Sequence, residues 1–338
     1  MTTFNRSVRM DHLNEVKLDA DMQHVVDSIN NGALSAGVRL DANTSMVFAL
    51  QLQHLRNQVM MREYPAYKAK NLIPMQAESP AGAEEFAYII GDRTGVFKMI
   101  ANYADDLPVT DVKGEKKVVD VKEFGGAFHY SIADQEKAAM AGQQLVNRKA
   151  MANRDAAEQK FDRIAWLGDT ESGLNGLATH PNITVVTAPN GASASPLWAN
   201  KTAQEIYDDM ASPFVQQATD TNGVEMPTHL VMSAARLERA RNAFFGDNTG
   251  DNALQRFKEA YPGVTIETVE WMQTAGAGDT QALLAYNRDP MKCAVETPVP
   301  YTMLPPQQRN LATIVNARMR TAGAVVYRPL SVTKVQGI

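Results

Sequence analysis

The sequence predicts an α+β fold, in which one long helix follows a strand-rich stretch and precedes a region of mixed helices and strands. Residues 84–130 contain four strand-like runs with β-branched and aromatic residues. Residues 131–167 contain no proline and a single glycine, Gly142, and are rich in good helix formers. Residues 220–305 alternate short strand-like and helical runs. This distribution is typical of α+β proteins.

The long helix, which we call the spine helix, is predicted over residues 132–167. Ser131, followed three residues later by Asp134, is a helix-start signature of the capping-box type. About 35 helical residues would form a rod of roughly 50 Å. One face carries apolar residues at helical spacing, which predicts a packed face and a solvated or partner face. The apolar positions are Ala138, Ala141, Leu145, Ala157, Phe161 and Ile164.

Three glycines after the spine helix, Gly168, Gly173 and Gly176, predict a sharp reversal of the chain. A coiled-coil or bundle helix is a weaker interpretation, because no heptad pattern runs through the helix and no second helix of matching length exists to pair with it. The sequence therefore favours an elongated subunit with a single spine.

The N-terminal residues predict an arm. Residues 1–45 are polar and poorly periodic, which fits an extended arm or a disordered terminus about equally. Residues 45–61 are predicted to be helical, and residues 63–80, with three prolines, extended. This combination suits an arm laid along a neighbour, although a surface excursion over its own domain would have the same pattern.

Residues 84–130 predict a long two-stranded excursion with a mobile tip near residues 105–114. A lone hairpin is marginally stable in water, so we expect it to pack on another subunit. A hairpin folded back on its own sheet would have the same sequence. We expect that deleting residues 103–116 leaves a folded subunit that no longer forms closed assemblies.

The remaining chain predicts a second, compact domain and a returning strand. Residues 202–217 are predicted as a helix that Pro213 would kink. Residues 220–305 are assigned to the compact domain. The last stretch, residues 306–338, is predicted as one long strand ending near Pro329 and returning to the sheet beside the spine helix.

Composition excludes several classes of protein. The chain has 338 residues, a net charge of −5 and one cysteine, Cys293. A disulfide within the chain and a cysteine-based zinc cluster are therefore excluded, and a reducing compartment is expected. The sequence has no apolar run of 18 residues and no signal-peptide core, so we expect a soluble intracellular product. The charge does not fit a dedicated nucleic-acid binder.

The sequence shows no catalytic, cofactor-binding or metal-ligating constellation. TAGAGDT at 274–280 lacks the G-K-[ST] of a phosphate loop and is interpreted as a hairpin connection. Residues 220–223 are interpreted as a turn, Cys293 as a buried small hydrophobe, and the acidic pairs at 105–106 and 208–209 as solvated. The six histidines have no ligand spacing. They are His12, His24, His54, His129, His180 and His229.

Two modest clusters of basic residues bear on DNA binding. Each is interpreted as a solvated helix face, and weak, non-specific contact with DNA is the most that we expect from them. The clusters are Arg148, Lys149, Arg154, Lys160 and Arg163 on the spine helix, and Arg236, Arg239 and Arg241 on a later helix.

Several stretches in one order resemble a known family. The spine helix ends in AWLGDTESGLNGL, the segment QALLAYNRDPMKCAVE precedes the final part, and the chain closes with NLATIVNARMRTAGAVVYRP. With the arm and the long hairpin ahead of them, these stretches resemble a major capsid protein of the tailed-phage type, most closely its encapsulin-like branch. The resemblance covers about residues 45–338 and depends on architecture more than on any single motif.

The resemblance implies names for the parts of the chain. Residues 1–70 would be the N-terminal arm, and residues 84–130 would hold the extension loop and the start of the peripheral domain. Residues 131–219 would form the peripheral domain with the spine helix, and residues 220–305 the axial domain. Residues 306–338 would be the C-terminal strand that returns to the peripheral domain.

The resemblance also implies a function without a catalytic site. The chain would assemble with itself, as pentamers and hexamers, into an icosahedral shell around packaged double-stranded DNA. Portal, scaffolding or decoration proteins would be its other partners, and the virion capsid, assembled in the host bacterial cytoplasm, its location. Some family members cross-link through an extension-loop lysine. Lys113, Lys116 and Lys117 lie on this loop, but cross-linking is not predicted.

Two other functions stay open. The first is an encapsulin nanocompartment, the same fold around cargo protein. Some 70 residues of arm-like sequence favour the phage shell, because nanocompartment shells tend to begin with a short cargo-binding helix. The second is an α/β enzyme in residues 220–305 with a helical appendage, for which no set of acid, base and nucleophile is found.

Overall fold

The computed structural model describes residues 66–95, 99, 111–140, 145–246 and 250–338. All of them belong to one unit of the chain, Arg62–Ile338. The predicted arm of residues 1–45 and the predicted helix of residues 45–61 lie outside the described residues, and so does most of the predicted hairpin tip.

Six helices and sixteen strands are described. The helices are α1 (Ala69–Leu72), α2 (Ile132–Met140), α3 (Leu145–Leu167), α4 (Ala203–Asp220), α5 (Ala234–Arg241) and α6 (Ala253–Ala260). The first eight strands are β1 (Met75–Gln76), β2 (Glu85–Thr94), β3 (Asp111–Asp120), β4 (Lys122–Ser131), β5 (Gly168–Asp169), β6 (Leu174–Asn175), β7 (Thr184–Thr187) and β8 (His229–Met232). The others are β9 (Thr265–Thr268), β10 (Ala282–Tyr286), β11 (Cys293–Glu296), β12 (Val299–Met303), β13 (Gln307–Arg309), β14 (Ala312–Thr321), β15 (Gly323–Val326) and β16 (Val332–Gln336).

A five-stranded mixed sheet, in the order β7-β16-β10-β8-β9, lies between two hydrophobic cores. All of β10 is buried. Leu283 and Ala285 face the core formed with helices α4, α5 and α6, whereas Leu284 and Tyr286 face the core that contains Trp166 of α3. The continuous apolar run of β10 therefore reflects a strand covered on both faces.

Helix α4 packs on this sheet, across the predicted domain boundary at residue 220. Thr202 and Glu205 form a capping box at its start. Ile206, Met210 and Phe214 are buried in the same core as the sheet. Burial of this apolar face fixes the helix on the sheet. Pro213 lies inside the helix, which continues to Asp220.

The predicted spine helix is described as two helical segments, α2 and α3, and residues 141–144 between them lie outside the described residues. The predicted capping box is present. Ser131 Oγ accepts from the Asp134 N–H at 3.0 Å, and the Asp134 carboxylate accepts from the Ser131 N–H at 3.4 Å. The C-terminal part of α3 buries Phe161, Ala165 and Trp166 against the sheet core.

The sharp reversal after α3 is confirmed. Gly168 and Gly173 have φ of +75° and +71°, a conformation that glycine adopts without a Cβ penalty. Strand β5, which begins at Gly168, and strand β6, which follows Gly173, pair as a short antiparallel ladder. A Cβ on Gly168 would lie 2.3 Å from the Leu174 carbonyl oxygen, so the two strands can meet only because this position is glycine.

The prediction of one long C-terminal strand in residues 306–338 is wrong. Strand β14 pairs with β4 along ten residues, which is the expected return beside the spine helix. The extended strand is then interrupted at Gly323, where φ is +73° and a Cβ would lie 2.7 Å from the Asn175 carbonyl oxygen. Strand β15 joins β11 in another sheet. Strand β16 enters the central sheet between β7 and β10.

Strands β2 and β3 form a two-stranded antiparallel hairpin, with ten pairs from Glu85↔Asp120 to Thr94↔Asp111. The predicted tip extended too far, because Gly114 is still paired, with Gly91. Strand β4, which was predicted as part of the same stretch, pairs with β14 in a different sheet.

The segment of residues 63–80, predicted as extended, contains helix α1. Ala69 and Leu72 of this helix are buried in the core with Trp166. The Ala69 N–H donates to the buried Asp162 carboxylate of α3 at 2.7 Å, and Trp271 Nε1 donates to the same carboxylate at 2.7 Å. Asp162 thus holds α1 and the 3-10 helix Glu270–Gln273 against α3.

Candidate assembly surfaces

The hairpin has one face attached to the subunit and one face open. Phe86 and Val121 are buried with Ala322 and Val325, and Tyr88 packs edge-on against Tyr327, with 5.0 Å between ring centroids. Side chains alternate across a strand, so Ile89 and Val118 point the other way. Ile89 is 74% exposed and Val118 47% exposed. An apolar outer face on a hairpin is a candidate contact surface.

A second apolar surface lies where β4 ends against the turn between β13 and β14. We call it the tip pair, and it consists of Ile132 and Leu311. Leu311 is 76% exposed and Ile132 56% exposed. The Ile132 N–H donates to the Leu311 carbonyl at 3.3 Å, so the two residues are adjacent. Asn310, with φ of +56°, turns the chain just before Leu311.

Several basic residues of the spine helix are engaged within the subunit. Lys149 donates to the His129 carbonyl at 2.8 Å. Arg154 pairs with Glu158 at 3.1 Å. Lys160 pairs with Asp169 at 2.8 Å, and its Nζ also lies 5.5 Å from the centre of the Phe124 ring. Arg163 is exposed. These contacts reduce the positive charge available to a polyanion.

Arginines of α5 hold loops in place, which corrects the interpretation of this helix as a merely solvated face. Arg236 donates to Gln281 at 2.7 Å. Arg239 donates to the carbonyls of Trp198, Ala199 and Lys201 at 2.9–3.3 Å. Arg236 and Arg239, which lie three residues apart and so share one helix face, therefore both have structural partners. Arg241 pairs with Glu238 of its own helix at 2.6 Å.

The acidic pair at 208–209 is not solvated as predicted. Asp208 accepts from Gln204 at the surface, but Asp209 is buried. Its carboxylate accepts from Lys201 at 2.6 Å and from Trp198 at 2.7 Å. Burial raises the pKa of Asp209, and the bond from Lys201 opposes that rise. Successive side chains on a helix point about 100° apart, so helical periodicity would have predicted that one acid faces the core and the other faces solvent.

The other motifs have structural roles. Cys293 is buried, as predicted, and burial raises the pKa of its thiol to about 12. At 220–223 the turn is confirmed, with positive φ at Asn222 and Gly223. TAGAGDT at 274–280 is not a hairpin connection, because β9 and β10 are not neighbours in the sheet.

Two further findings concern only the described residues. No group of three His, Cys, Asp or Glu side chains there is arranged to hold a metal ion. None of the helices in the described part of the chain has an apolar run of the length that a bilayer crossing needs.

The described fold is similar to several solved phage capsid structures. The capsid of Myoviridae phage XM1 is 18% identical, with a TM-score of 0.75, over 90% of this chain and 100% of that one. A chain of Mycobacterium phage Che8 is 14% identical, with a TM-score of 0.54, over 84% of this chain and 96% of that one. The capsid of a native GTA particle is 9% identical, with a TM-score of 0.61, over 88% and 99%. These likenesses show the tailed-phage capsid fold.

No curated protein matches this sequence. The sequence does, however, match a protein family. The sequence pattern of the major capsid protein family matches residues 95–338, which is most of the chain. The chain therefore belongs to the major capsid protein family: it is a structural protein that assembles with copies of itself into the shell of a virion.

Proposed function

We propose that this chain builds an icosahedral shell of pentamers and hexamers that encloses double-stranded phage DNA. The observation that carries the proposal is the β2–β3 hairpin, which is attached at its base and presents apolar residues along its outer face. A two-stranded ladder is marginal on its own in water. Packing of this face on a neighbouring copy would bury its apolar area and stabilise both partners.

Assembly then proceeds by many weak contacts shared among copies. The tip pair supplies a second apolar surface away from the hairpin base. Surfaces that must fit several slightly different neighbours need ordinary chemistry, since the same patch meets different environments around five-fold and quasi-six-fold axes. The predicted N-terminal arm, residues 1–70, would add a third contact along a neighbour through the residues that precede helix α1, because α1 itself packs in the core of its own subunit.

DNA would be held weakly and without sequence preference. Lys149, Arg154 and Lys160 have partners within the subunit, so few of the spine helix cations are free for phosphate. The net charge of the chain, −5, points the same way. A shell repeats each weak contact many times, which suffices to retain packaged DNA.

Further partners and the site of assembly follow from the same proposal. A portal would complete the shell, and scaffolding or decoration proteins would act on it. Assembly would take place in the host bacterial cytoplasm, with no catalytic activity in the chain. The predicted axial domain at residues 220–305 and peripheral domain at residues 131–219 stay proposals, modified by the packing of α4 described above.

The contents of purified particles test the proposal. We expect shells that are empty or that protect double-stranded DNA from added nuclease. Shells that consistently contain a co-purified protein instead would contradict it and support a nanocompartment. Gradient-purified particles treated with nuclease, followed by gel analysis of DNA and protein, give the measurement.

A further inference from the structure

We infer that Glu296 and Arg320 form a polar latch that fixes the direction in which the β2–β3 hairpin leaves the subunit. Both side chains come from the body of the subunit and bind the backbone of the loop that enters β2. The inference rests on the proposed function, in which the hairpin contacts neighbouring copies. It goes beyond that proposal because it assigns the positioning of the hairpin to two named residues.

The two ends of the hairpin are held differently. At the exit, Val121 alone separates β3 from β4, and β4 is fixed along its length by β14. At the entry, residues 77–84 form an irregular loop between β1 and β2. The Val121 N–H donates to the Glu84 carbonyl at 2.8 Å, which joins the two ends. Besides the base cluster of Phe86 and Val121, the orientation of the hairpin therefore depends on how the entry loop is held.

Arg320 of β14 holds the second half of the entry loop. Its Nη2 donates to the Ala83 carbonyl at 2.8 Å, and its Nη1 donates to the Ala81 carbonyl. The side chain is only 11% exposed. A guanidinium can bind two carbonyls at once in a fixed geometry, whereas an ammonium group is a point charge without that fork.

Glu296 of β11 holds the first half of the loop. It is fully buried, and its Oε1 accepts from the Ser79 N–H at 2.8 Å. Its second oxygen, Oε2, has no hydrogen-bond partner among the described residues. The Glu296 carbonyl accepts from Thr321 Oγ1 at 2.8 Å and from the Ala322 N–H at 3.0 Å. These bonds tie Glu296 to the residues that follow Arg320, so the two side chains act from one rigid support.

Stability alone does not account for a buried carboxylate here. Burying a charge with one oxygen unpaired by protein is unfavourable, and an apolar side chain of similar size would avoid that cost. Geometry gives a reason. Ten residues at about 3.4 Å each make a hairpin of about 34 Å, so a rotation of about 10° at its base moves the far end by about 6 Å. Contacts with a neighbour would not tolerate such a shift.

The test compares latch variants with a matched control. Arg320→Lys removes the fork, and Glu296→Leu removes the acceptor for Ser79 while keeping a similar volume. Arg318→Lys is the control, because Arg318 lies two residues away on β14, is 45% exposed and also neighbours Glu123. Each variant is measured by thermal unfolding and by yield of closed shells. Hydrogen exchange is measured at the Ser79 amide, which bonds to Glu296, and at the Ala83 amide, which bonds to the Pro80 carbonyl within the loop.

We expect both latch variants to fold with nearly the parent melting temperature, to exchange these amides about tenfold faster, and to lose closed shells. Arg318→Lys should match the parent in all three. Latch variants that form shells as Arg318→Lys does would overturn the inference. If Arg320→Lys does not fold, Glu296→Leu decides by the same criteria.

A deletion of residues 103–110 in the same assay separates the two proposals. If that deletion abolishes shells while both latch variants assemble normally, only the latch is wrong. If the deletion assembles normally, the hairpin tip has no role in assembly, and only the outer face with Ile89 and Val118 stays in the proposed function. Exchange at Ser79 and Ala83 then decides the latch alone: faster exchange supports it, and unchanged exchange overturns it.

Discussion

Lys201 and Asp209 form an ion pair in which both side chains are almost fully buried. Replacing Lys201 with Met would leave the Asp209 carboxylate buried beside Trp198 without its cation. We expect a loss of about 3–5 kcal/mol in the free energy of unfolding, as is usual when one partner of a buried pair is removed. Chemical denaturation measures it. Gln204→Ala, which removes only the exposed partner of Asp208, should change stability by less than about 0.5 kcal/mol.

The same pair predicts a pH dependence. Burial raises the pKa of Asp209 in the folded chain above its ordinary value. The folded state therefore binds the proton more tightly than the unfolded state, so stability from this group is lost as pH rises through the raised pKa. In Lys201→Met the opposing cation is gone, so the pKa of Asp209 rises further. We expect the loss in free energy of unfolding, relative to the parent, to be smaller at pH 5 than at pH 8. A loss that grows on acidification would contradict this account.

Gly168 gives a prediction about the reversal after α3. A Cβ there would overlap the Leu174 carbonyl oxygen and the Gly176 nitrogen, at 2.3 and 2.6 Å. We expect Gly168→Ala to lower the free energy of unfolding by about 1–3 kcal/mol because of the overlap. The positive φ should lower it by about 1–2 kcal/mol more. Gly173→Ala is the control. It has positive φ but no atom within 4 Å of the new Cβ, so only the backbone cost remains. Equal melting temperatures for the two variants would show that the overlap is relieved.

Local signals predicted residue roles well, and long-range partners could not be predicted. Ser131 with Asp134, and the glycines after α3, act within a few residues, so spacing was sufficient. Asp209 was misassigned because its partners, Trp198 and Lys201, lie in and just after a short 3-10 helix, Trp198–Asn200, whose position depends on Arg239. The spacing of apolar and polar residues along the sequence does not indicate these long-range contacts.

At the scale of elements, the hairpin gives a deletion experiment. Deleting residues 103–116 also removes the strand residues that pair with residues 89–94. Deleting 103–110 leaves all ten pairs intact, and the base cluster of Phe86, Val121, Ala322 and Val325 with it. We expect this shorter deletion to keep the parent melting temperature and to form no closed shells by electron microscopy. Normal shells would remove the hairpin tip from the mechanism.

The tip pair gives a point substitution that tests contact without touching the core. Leu311→Asp places a charge at a position that is 76% exposed, so stability should change by less than about 0.5 kcal/mol. If the tip pair packs on a neighbour, shells should be lost because a buried, unpaired charge opposes association. Leu311→Met, which keeps an apolar side chain, should assemble. Assembly of the Asp variant would exclude this surface.

The sequence indicated most elements of the second half of the chain, but not how they connect. The strand at 312–321 is part of the stretch predicted to return to the sheet beside the spine helix, and it pairs there with β4. The apolar alternation continues through AGAVV, so periodicity alone gave no sign of a break at Gly323. The break arises because the chain passes against the Asn175 carbonyl there, a contact between segments about 150 residues apart.

At the scale of the whole molecule, the described residues form one unit rather than two independent domains. The central sheet is covered by α4, α5 and α6 on one face and by the core around Trp166 and Tyr286 on the other. A sheet shared by both cores couples the spine helix to the α/β region. Compositional change along the chain suggested a boundary at residue 220, but packing across that point was not visible in the sequence.

The central claim is that copies of this chain close into a shell. The most direct test is the mass of the purified protein by light scattering, with electron microscopy of the same peak. We predict uniform closed particles, assembled from the chain alone or with a scaffold or portal. A protein that stays monomeric at high concentration, with crowding agents and with those partners present, would contradict the claim.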